Sequence, residues 1–273
     1  MQTDLGGFPA KKIGGSANQC GGNLWLKYII LFWEENYMKK IGSVLTVLLL
    51  FVPVVVFGQM GLPSELIDIP TAYAMQRGDL SLDFRIYDGG GVLTKVQLGI
   101  VDMLSLGLSL SVDGLIGSGQ LVIPMGRPGI IAKIRIVDEM TLKSWPTITI
   151  GYDDSAYNNF FGKGIYGMVS KEFTVGKMFL HAHGGINKPL GAGSDIIVAG
   201  IFLGADFFFI PQFALIGEIE PASQIGAQYI SYNFGFQYMP IPNFRAGFFT
   251  KTRIGTVNSF IKEIHVGYIT KLF

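Results

Sequence analysis

The side chains best suited to chemistry come in two pairs, each with a spacing of two residues. His181 and His183 share one face of a strand-like run, and a His-x-His spacing can bind a metal ion. The sequence shows neither a cysteine nor a close third ligand beside them, so two polar residues facing a barrel interior is the simpler interpretation. Glu218 and Glu220 share a face in the same way, and paired carboxylates can serve acid–base catalysis or act as a charged lining.

The elements that position these pairs follow from composition and hydropathy. Charged residues make up only 15% of the chain, apolar residues make up 49%, and mean hydropathy is +0.41. A soluble domain usually has about a quarter of its residues charged. After residue 58 no apolar run reaches the roughly 18 residues of a spanning helix. A closed β-barrel is the other structure that satisfies every backbone group in lipid. The net charge of +1 predicts no nucleic-acid partner.

Alternating hydropathy and spacing support the barrel. In the run 227–238 aromatic and aliphatic residues alternate with small or polar ones, so one face suits lipid and the other a lumen. Connections alternate long and short, as in outer-membrane barrels with short periplasmic turns. The sequence therefore predicts an all-β fold, a single antiparallel up-and-down transmembrane β-barrel of about twelve strands, within a range of roughly ten to fourteen.

Individual strands and connections are predicted as follows. The strands are 79–87, 93–101, 103–112, 129–138, 145–153, 164–174, 177–185, 195–205, 208–219, 227–239, 243–251 and 262–271. The tight turns lie near 102, 139–144, 175–176, 206 and 240–242, and the long connections are 88–92, 113–128, 154–163, 186–194, 220–226 and 252–261. An even strand count places both termini on the periplasmic side.

Charged residues at inferred inward positions form the predicted lumen lining. This set comprises Asp83, Arg85, Lys95, Lys133, Arg135, Lys177, His181, His183, Glu218, Glu220, Arg245, Glu263 and His265. Charges are costly in lipid, so they should face water or one another. Closure of the first strand on the last would bring Asp83 and Arg85 near Glu263 and His265. Such a network could plug a narrow barrel, and it could equally line a polar path.

The segments outside the barrel are assigned from their composition. Residues 1–37 are interpreted as an upstream extension, and Cys20 within them cannot form an internal disulfide. Residues 38–58 have the basic start, apolar stretch and small-residue end of a cleavable signal peptide, with a retained anchor as the alternative. Residues 59–78 are predicted to be a periplasmic lead-in or a small plug, ahead of the barrel at 79–273. The terminal Phe273 resembles the signal read by the barrel-assembly machinery.

Several stretches in the first half of the mature chain have a familiar pattern, namely 66–72 (LIDIPTA), 78–80 (GDL), 99–107 (GIVDMLSLG), 128–133 (PGIIAK) and 146–154. In these stretches the chain resembles the YjbH-type outer-membrane proteins associated with exopolysaccharide operons. The resemblance implies a barrel in the bacterial outer membrane with a part in polysaccharide export or surface assembly. It implies no catalytic residues.

Three functions remain open from the sequence. The first is a small channel for a polysaccharide or small polar solutes, with selectivity set by the charged lining and loop 113–128. The second is a structural or surface-interaction barrel with a plugged lumen. The third is an outer-membrane hydrolase, but no serine lies two residues from a histidine on the same strand. The sequence contains no P-loop, dinucleotide fingerprint or CxxC motif, so we expect no cofactor, no metal and no catalytic set. The expected surroundings are outer-membrane lipid and the barrel-assembly machinery.

Overall fold

The structure is a computed structural model that describes residues 63–139, 141–142, 144–155, 164–190, 200–224, 227–255 and 259–273. The predicted extension at 1–37, the signal peptide at 38–58 and Cys20 lie outside these residues. Among the described residues, no helix is both long enough and apolar enough to cross a membrane.

The described part of the chain forms twelve antiparallel strands in one closed barrel. The strands are β1 Asp79–Tyr87, β2 Gly91–Val101, β3 Leu104–Val112, β4 Gly129–Val137, β5 Thr147–Asp153, β6 Gly164–Val175, β7 Met178–Pro189, β8 Gly200–Ile210, β9 Phe213–Gln224, β10 Ala227–Ile241, β11 Phe244–Gly255 and β12 Ser259–Lys271. Each strand pairs with its sequence neighbours, and β1 closes the ring by pairing with β12. The predicted fold class is confirmed.

The two faces of each strand are sorted by polarity. In β10, Phe234 is 58% exposed on the outside, whereas Ser231 and Asn233 are buried inside. In β3, Leu108 is exposed and Ser109 is buried in the same way. Because side chains alternate across a strand, this period of two gives an apolar exterior and a polar interior. A soluble protein would have the opposite arrangement, so the exterior suits a lipid environment.

The predicted turn at Asp206 is wrong. Asp206 lies inside β8, faces His181 of β7 across the ladder and is fully buried. The strand continues because the following phenylalanines keep the alternation, with Phe208 buried and Phe209 exposed. The turn lies five residues later, at 211–212. Pro211 suits this turn because it has no backbone N–H to donate to a strand ladder.

Two of the predicted long connections are also shorter than expected. Strand β9 continues to Gln224 and β10 begins at Ala227, while β11 continues to Gly255 and β12 begins at Ser259. The polar and glycine residues there had indicated loops, but they extend the strand ladders beyond the apolar band. The alternation of long and short connections is therefore weaker than the sequence indicated.

Residues 63–76, which we call the lumen segment, lie inside the barrel. The segment folds back on itself, with the Leu66 amide donating to the Ile69 carbonyl at 2.9 Å and the Thr71 amide donating to the Ser64 carbonyl at 2.9 Å. It reaches β1 through Gly78, whose φ of +81° and close approach to the carbonyl of Phe273 exclude a side chain.

A charge on the outer face should destabilise the barrel if that face meets lipid. We expect Phe234→Arg to lower the free energy of unfolding in bilayers by about 2–4 kcal/mol, because Arg at mid-bilayer has that cost. Phe234→Leu is the apolar control, and urea titration in vesicles measures both. Equal stability of the two variants would contradict a lipid-facing position.

Candidate functional site: the barrel lumen

A basic wall formed by β1 and β2 binds the acidic side chains of the lumen segment. Lys95 Nζ lies 2.6 Å from Glu65 Oε2, and Arg85 Nη1 lies 2.6 Å from Asp68 Oδ1. Arg85 also contacts Glu65 at 3.4 Å and donates to the carbonyl of Ile67. Arg85 and Lys95 are almost completely buried, so their charges need partners. Besides the segment, Lys95 also lies 3.4 Å from Asp153 of β5, and Arg85 lies 3.8 Å from Glu263 of β12.

Lys133 of β4 extends the basic wall and binds the backbone of the segment. Its Nζ donates to the carbonyl oxygens of Ser64 at 2.7 Å, Thr71 at 2.9 Å and Tyr73 at 3.2 Å. These contacts use all three protons of the ammonium group. Among the described residues, Lys133 makes no ion pair, so its charge is met by carbonyl dipoles of the segment alone.

Glu218 of β9 holds the tip of the segment on the opposite side of the lumen. Its carboxylate accepts the backbone N–H groups of Ile67 at 3.2 Å, Asp68 at 2.8 Å and Ile69 at 3.2 Å. It also accepts Asn233 Nδ2 at 2.7 Å, so its four acceptor positions are filled. Successive N–H groups pointing at one anion form an anion-binding concavity, which here belongs to the segment.

A third group of contacts joins the segment to β11 and β12. Lys251 Nζ lies 2.7 Å from Asp68 Oδ1 and 2.6 Å from Glu263 Oε1. Glu263 also contacts His265 at 2.9 Å and Arg85 at 3.8 Å. The barrel closure thus brings Arg85, Glu263 and His265 together.

A separate ion pair joins β1 to β11 beside this cluster. Asp83 binds Arg245 in a salt bridge of its own. A small cavity beside the segment is lined by Asp83, Arg85, Lys95, Arg245 and His265, together with Glu65.

The two histidines of β7 both lie near Asp206 of β8, and His183 also contacts Ser170 of β6. His183 Nδ1 lies 2.6 Å from Ser170 Oγ, which also accepts the Ala72 amide at 2.8 Å. His181 Nδ1 lies 2.5 Å from Asp206 Oδ1. The nearest approach of His183 to Asp206 is 3.8 Å. Ser170 belongs to β6, so inspection within one strand could not pair it with His183, and it is fully buried against the segment.

Three other residues of the predicted lining differ in their surroundings. Lys177 lies in the exposed turn between β6 and β7 rather than on the lumen face, because β7 begins only at Met178. Arg135 lies near the end of the barrel that carries the termini, where Nη2 donates to the Asp102 carbonyl at 2.6 Å. Glu220 is buried, and neither of its carboxylate oxygens has a hydrogen-bond partner among the described residues.

Sequence reasoning missed the residues that the segment itself contributes and several of their partners. Glu65 and Asp68 stand in an apolar stretch whose position inside or outside the barrel was open. Asp206 was assigned to a turn. The inward position of Lys251 could be predicted from the sequence, since Lys251 lies an even number of residues after Arg245 in the same predicted strand and therefore on the same face.

Apolar contacts also hold the segment against the inner wall of the barrel. Leu66, Ile67 and Ile69 are buried in one cluster with inward-facing residues of the wall, among them Phe202 and Phe249. A Cβ on Gly204 would lie 2.5 Å from Ile69 and 2.7 Å from Leu66, so the glycine leaves room for the tip. The lumen is therefore filled by both polar and apolar groups of the segment.

The charges of the wall change the acidity of the segment. Burial alone would raise the pKa of Glu65, but the positive charges of Lys95 and Arg85 outweigh it and lower that pKa from 4.5 to about 2. The carboxylate of Glu65 is thus strongly favoured in its ionised form while the segment is seated.

Comparison with known proteins gives a limited likeness. No protein-family model matches the chain, and no characterised protein matches it by sequence. Among solved structures, the KdgM porin has a TM-score of 0.47 and 11% identity, covering 70% of this chain and 98% of the porin. The COG4313 outer membrane channel from Pseudomonas putida F1 has a TM-score of 0.43 and 11% identity, covering 73% and 98%. The fold described above stands on the strand pairing of this chain itself.

Loss of the Glu218 carboxylate should loosen the segment. In Glu218→Ala three backbone N–H groups lose their acceptor, and each buried group left unsatisfied costs about 1–3 kcal/mol. We expect hydrogen exchange at the amides of 67–69 to accelerate by about two orders of magnitude, since each tenfold corresponds to ~1.4 kcal/mol. Glu220→Gln is the matched control, because Glu220 lies on the same face but accepts no described hydrogen bond. Equal exchange in the two variants would contradict the role of Glu218.

Low pH should weaken the binding of the lumen segment inside the barrel, because Glu65 becomes protonated. Because its pKa is lower in the seated state, its contribution is complete above pH 4.5 and is lost as the pH falls toward 2. We expect the protection of the 67–69 amides, corrected for intrinsic exchange, to fall about tenfold between roughly pH 5 and pH 3. Glu65→Gln should have lower protection and lack this step, while Asp88→Asn in the β1–β2 connection should retain it. A step that survives in Glu65→Gln would assign it to another group.

Proposed function

We propose that the chain is a bacterial outer-membrane channel whose lumen is closed at rest by the lumen segment. The observation that carries this proposal is that Arg85, Lys95, Lys133 and Lys251 on the wall contact groups of the segment, which is not part of the strand ladder. A twelve-strand ring encloses more space than its own side chains fill. That space is occupied here by a chain segment held through ion pairs, hydrogen bonds and apolar contacts, with no covalent link among the described residues. Release of the segment would leave a polar path.

The charge pattern of the lumen supports a solute that carries carboxylates and hydroxyl groups. The segment presents carboxylates to Arg85, Lys95 and Lys251, carbonyl oxygens to Lys133, and hydrogen-bond donors to Glu218. An acidic saccharide offers the same three kinds of group. This supports the polysaccharide link implied by the YjbH-type resemblance. One of the similar structures is titled as a KdgM porin in complex with disordered oligogalacturonate, at a TM-score of 0.46 and 9% identity.

Placement in the cell belongs to the same proposal. The signal peptide would be cleaved near Gly58, the barrel-assembly machinery would read the C-terminal Phe273, and both termini would lie in the periplasm. The barrel end opposite the termini, which includes loop 113–128, would then face the cell exterior.

A structural barrel with a permanently filled lumen is the second candidate. It is favoured by the saturation of Glu218 and Lys133, whose hydrogen-bonding positions are all used by the segment or by Asn233. The two candidates differ in one property, which is whether the segment leaves the lumen.

A reversible covalent lock on the segment tests the channel directly. The Ala72 amide donates to Ser170 Oγ at 2.8 Å, so the two residues are neighbours, and Ala72→Cys with Ser170→Cys in a Cys20→Ser background is the pair chosen for a disulfide. In planar bilayers we expect Glu218→Ala to conduct at least about tenfold more often than the wild type, since its segment is less firmly held. The same variant carrying the oxidised lock should be silent, and reduction should restore the current.

The controls separate the lock from damage to the barrel. Ala72→Cys alone and Ser170→Cys alone should conduct equally before and after reduction. Current that persists through the oxidised lock would show a path that bypasses the segment. Silence of every form, including Glu218→Ala with accelerated amide exchange, would reject the channel and favour the structural barrel.

A further inference from the structure

Loop 113–128, between β3 and β4, carries an exposed apolar surface that the lumen does not explain. Its side chains from 114 to 126 include no charge. Five aliphatic residues there are exposed, namely Leu115, Ile116, Leu121, Val122 and Ile123. Leu121, at 64%, is among the most exposed apolar side chains of the described residues. An uncovered apolar group of this size marks an interaction site.

The base of the loop is ordered and fixed to the barrel rim. The amide of Asp113 donates to the Val122 carbonyl at 2.8 Å, and the reverse hydrogen bond is 3.2 Å. The Ile116 amide donates to the Gly90 carbonyl at 2.9 Å, and Tyr87 donates to the Asp113 carboxylate. At the far end, Arg127 pairs with Asp154 at 2.8 Å. The exposed apolar residues thus lie on a loop that hydrogen bonds and an ion pair fix to the barrel rim.

The strands on either side of the loop identify what covers this surface. The outer face of β3 is a row of exposed leucines, Leu106, Leu108 and Leu110, and the outer face of β4 carries exposed Ile130 and Ile134. In a membrane barrel such rows meet lipid chains. The loop leaves β3 after Val112 and enters β4 at Gly129, so its two ends adjoin these rows. The exposure of its aliphatic side chains shows that they do not pack into the lumen.

We propose that loop 113–128 inserts its aliphatic residues into the adjacent membrane leaflet and anchors this side of the barrel in lipid. The occupant of the surface is the acyl-chain region next to the headgroups, which accepts apolar side chains and excludes charge. This inference rests on the membrane placement in the proposed function but not on conduction. The loop is then an anchor on the rim rather than a selectivity element over the lumen.

Fluorescence quenching by bromine-labelled lipids tests this insertion. The background is the full chain with Trp25→Phe, Trp33→Phe and Trp145→Phe, into which Leu121→Trp places a single indole. In phosphatidylcholine vesicles brominated near the headgroup end of the acyl chains, we expect emission to fall by about half, as for indoles at the membrane interface. Aqueous iodide should quench this indole weakly.

Two further variants make the result interpretable. Leu108→Trp in the same background reports the lipid-facing wall and should be quenched by bromine at mid-chain. Leu121→Trp combined with Leu115→Asp and Ile123→Asp removes the apolar neighbours, and we expect it to lose bromine quenching and gain iodide quenching.

The outcomes distinguish the loop from the barrel. Iodide quenching without bromine quenching at 121, with 108 still quenched by bromine, overturns the insertion and leaves the proposed function standing. Protection at 121 from both quenchers overturns it in favour of a protein contact, such as a second copy of the chain. A lack of bromine quenching at 108 overturns the membrane placement and the insertion together.

Discussion

Charged side chains inside a narrow barrel must be neutralised by one another or by whatever fills the lumen, because burying an unpartnered charge is costly. The wall of this barrel meets that constraint only in part. Asp83 with Arg245 and His181 with Asp206 are partnered within the wall. Within the described part of the chain, the ammonium group of Lys133 contacts only backbone carbonyls of the lumen segment. The segment therefore belongs to the electrostatics of the barrel as much as any strand does.

The same constraint explains why opposite sides of the segment bind opposite charges. Its carboxylates and carbonyl oxygens face the basic wall of β1, β2 and β4, while its amide groups face Glu218 on β9. A peptide chain can do this because every residue has both a donor and an acceptor. Without the segment, the basic wall of β1, β2 and β4 and the acidic Glu218 of β9 would create an electric field across the lumen. A solute that carries only acceptors or only donors would then bind to only one of these two sides.

The sequence predicts the barrel well because its two signals are local and repeated. A period of two in hydropathy requires only that each strand has one lipid face and one lumen face, and it is clear in β3 and β10. Strand ends are predicted less well where polar residues also suit a ladder, as at Asp206 and Gln224. The lumen contacts depend on which strands lie opposite one another and on a segment far away in the chain. The pairing of Asp68 with Lys251, or of Ser170 with His183, has no local signature.

If the barrel is the proposed channel, the contacts that hold the segment in the lumen favour opening that depends on a ligand. Seating buries Leu66, Ile67 and Ile69, and each large aliphatic side chain costs about 1.5–3 kcal/mol to expose fully. Spontaneous release is then rare, even though water could replace many of the polar contacts. Buried ion pairs add little net stability, because their attraction roughly offsets the loss of hydration. In the proposed channel they would also lower the barrier to exchange, since an incoming carboxylate could take over Arg85 or Lys95 as the segment withdrew. In the proposed channel, the apolar contacts would hold the lumen closed, and the ionic contacts would determine which solutes open it.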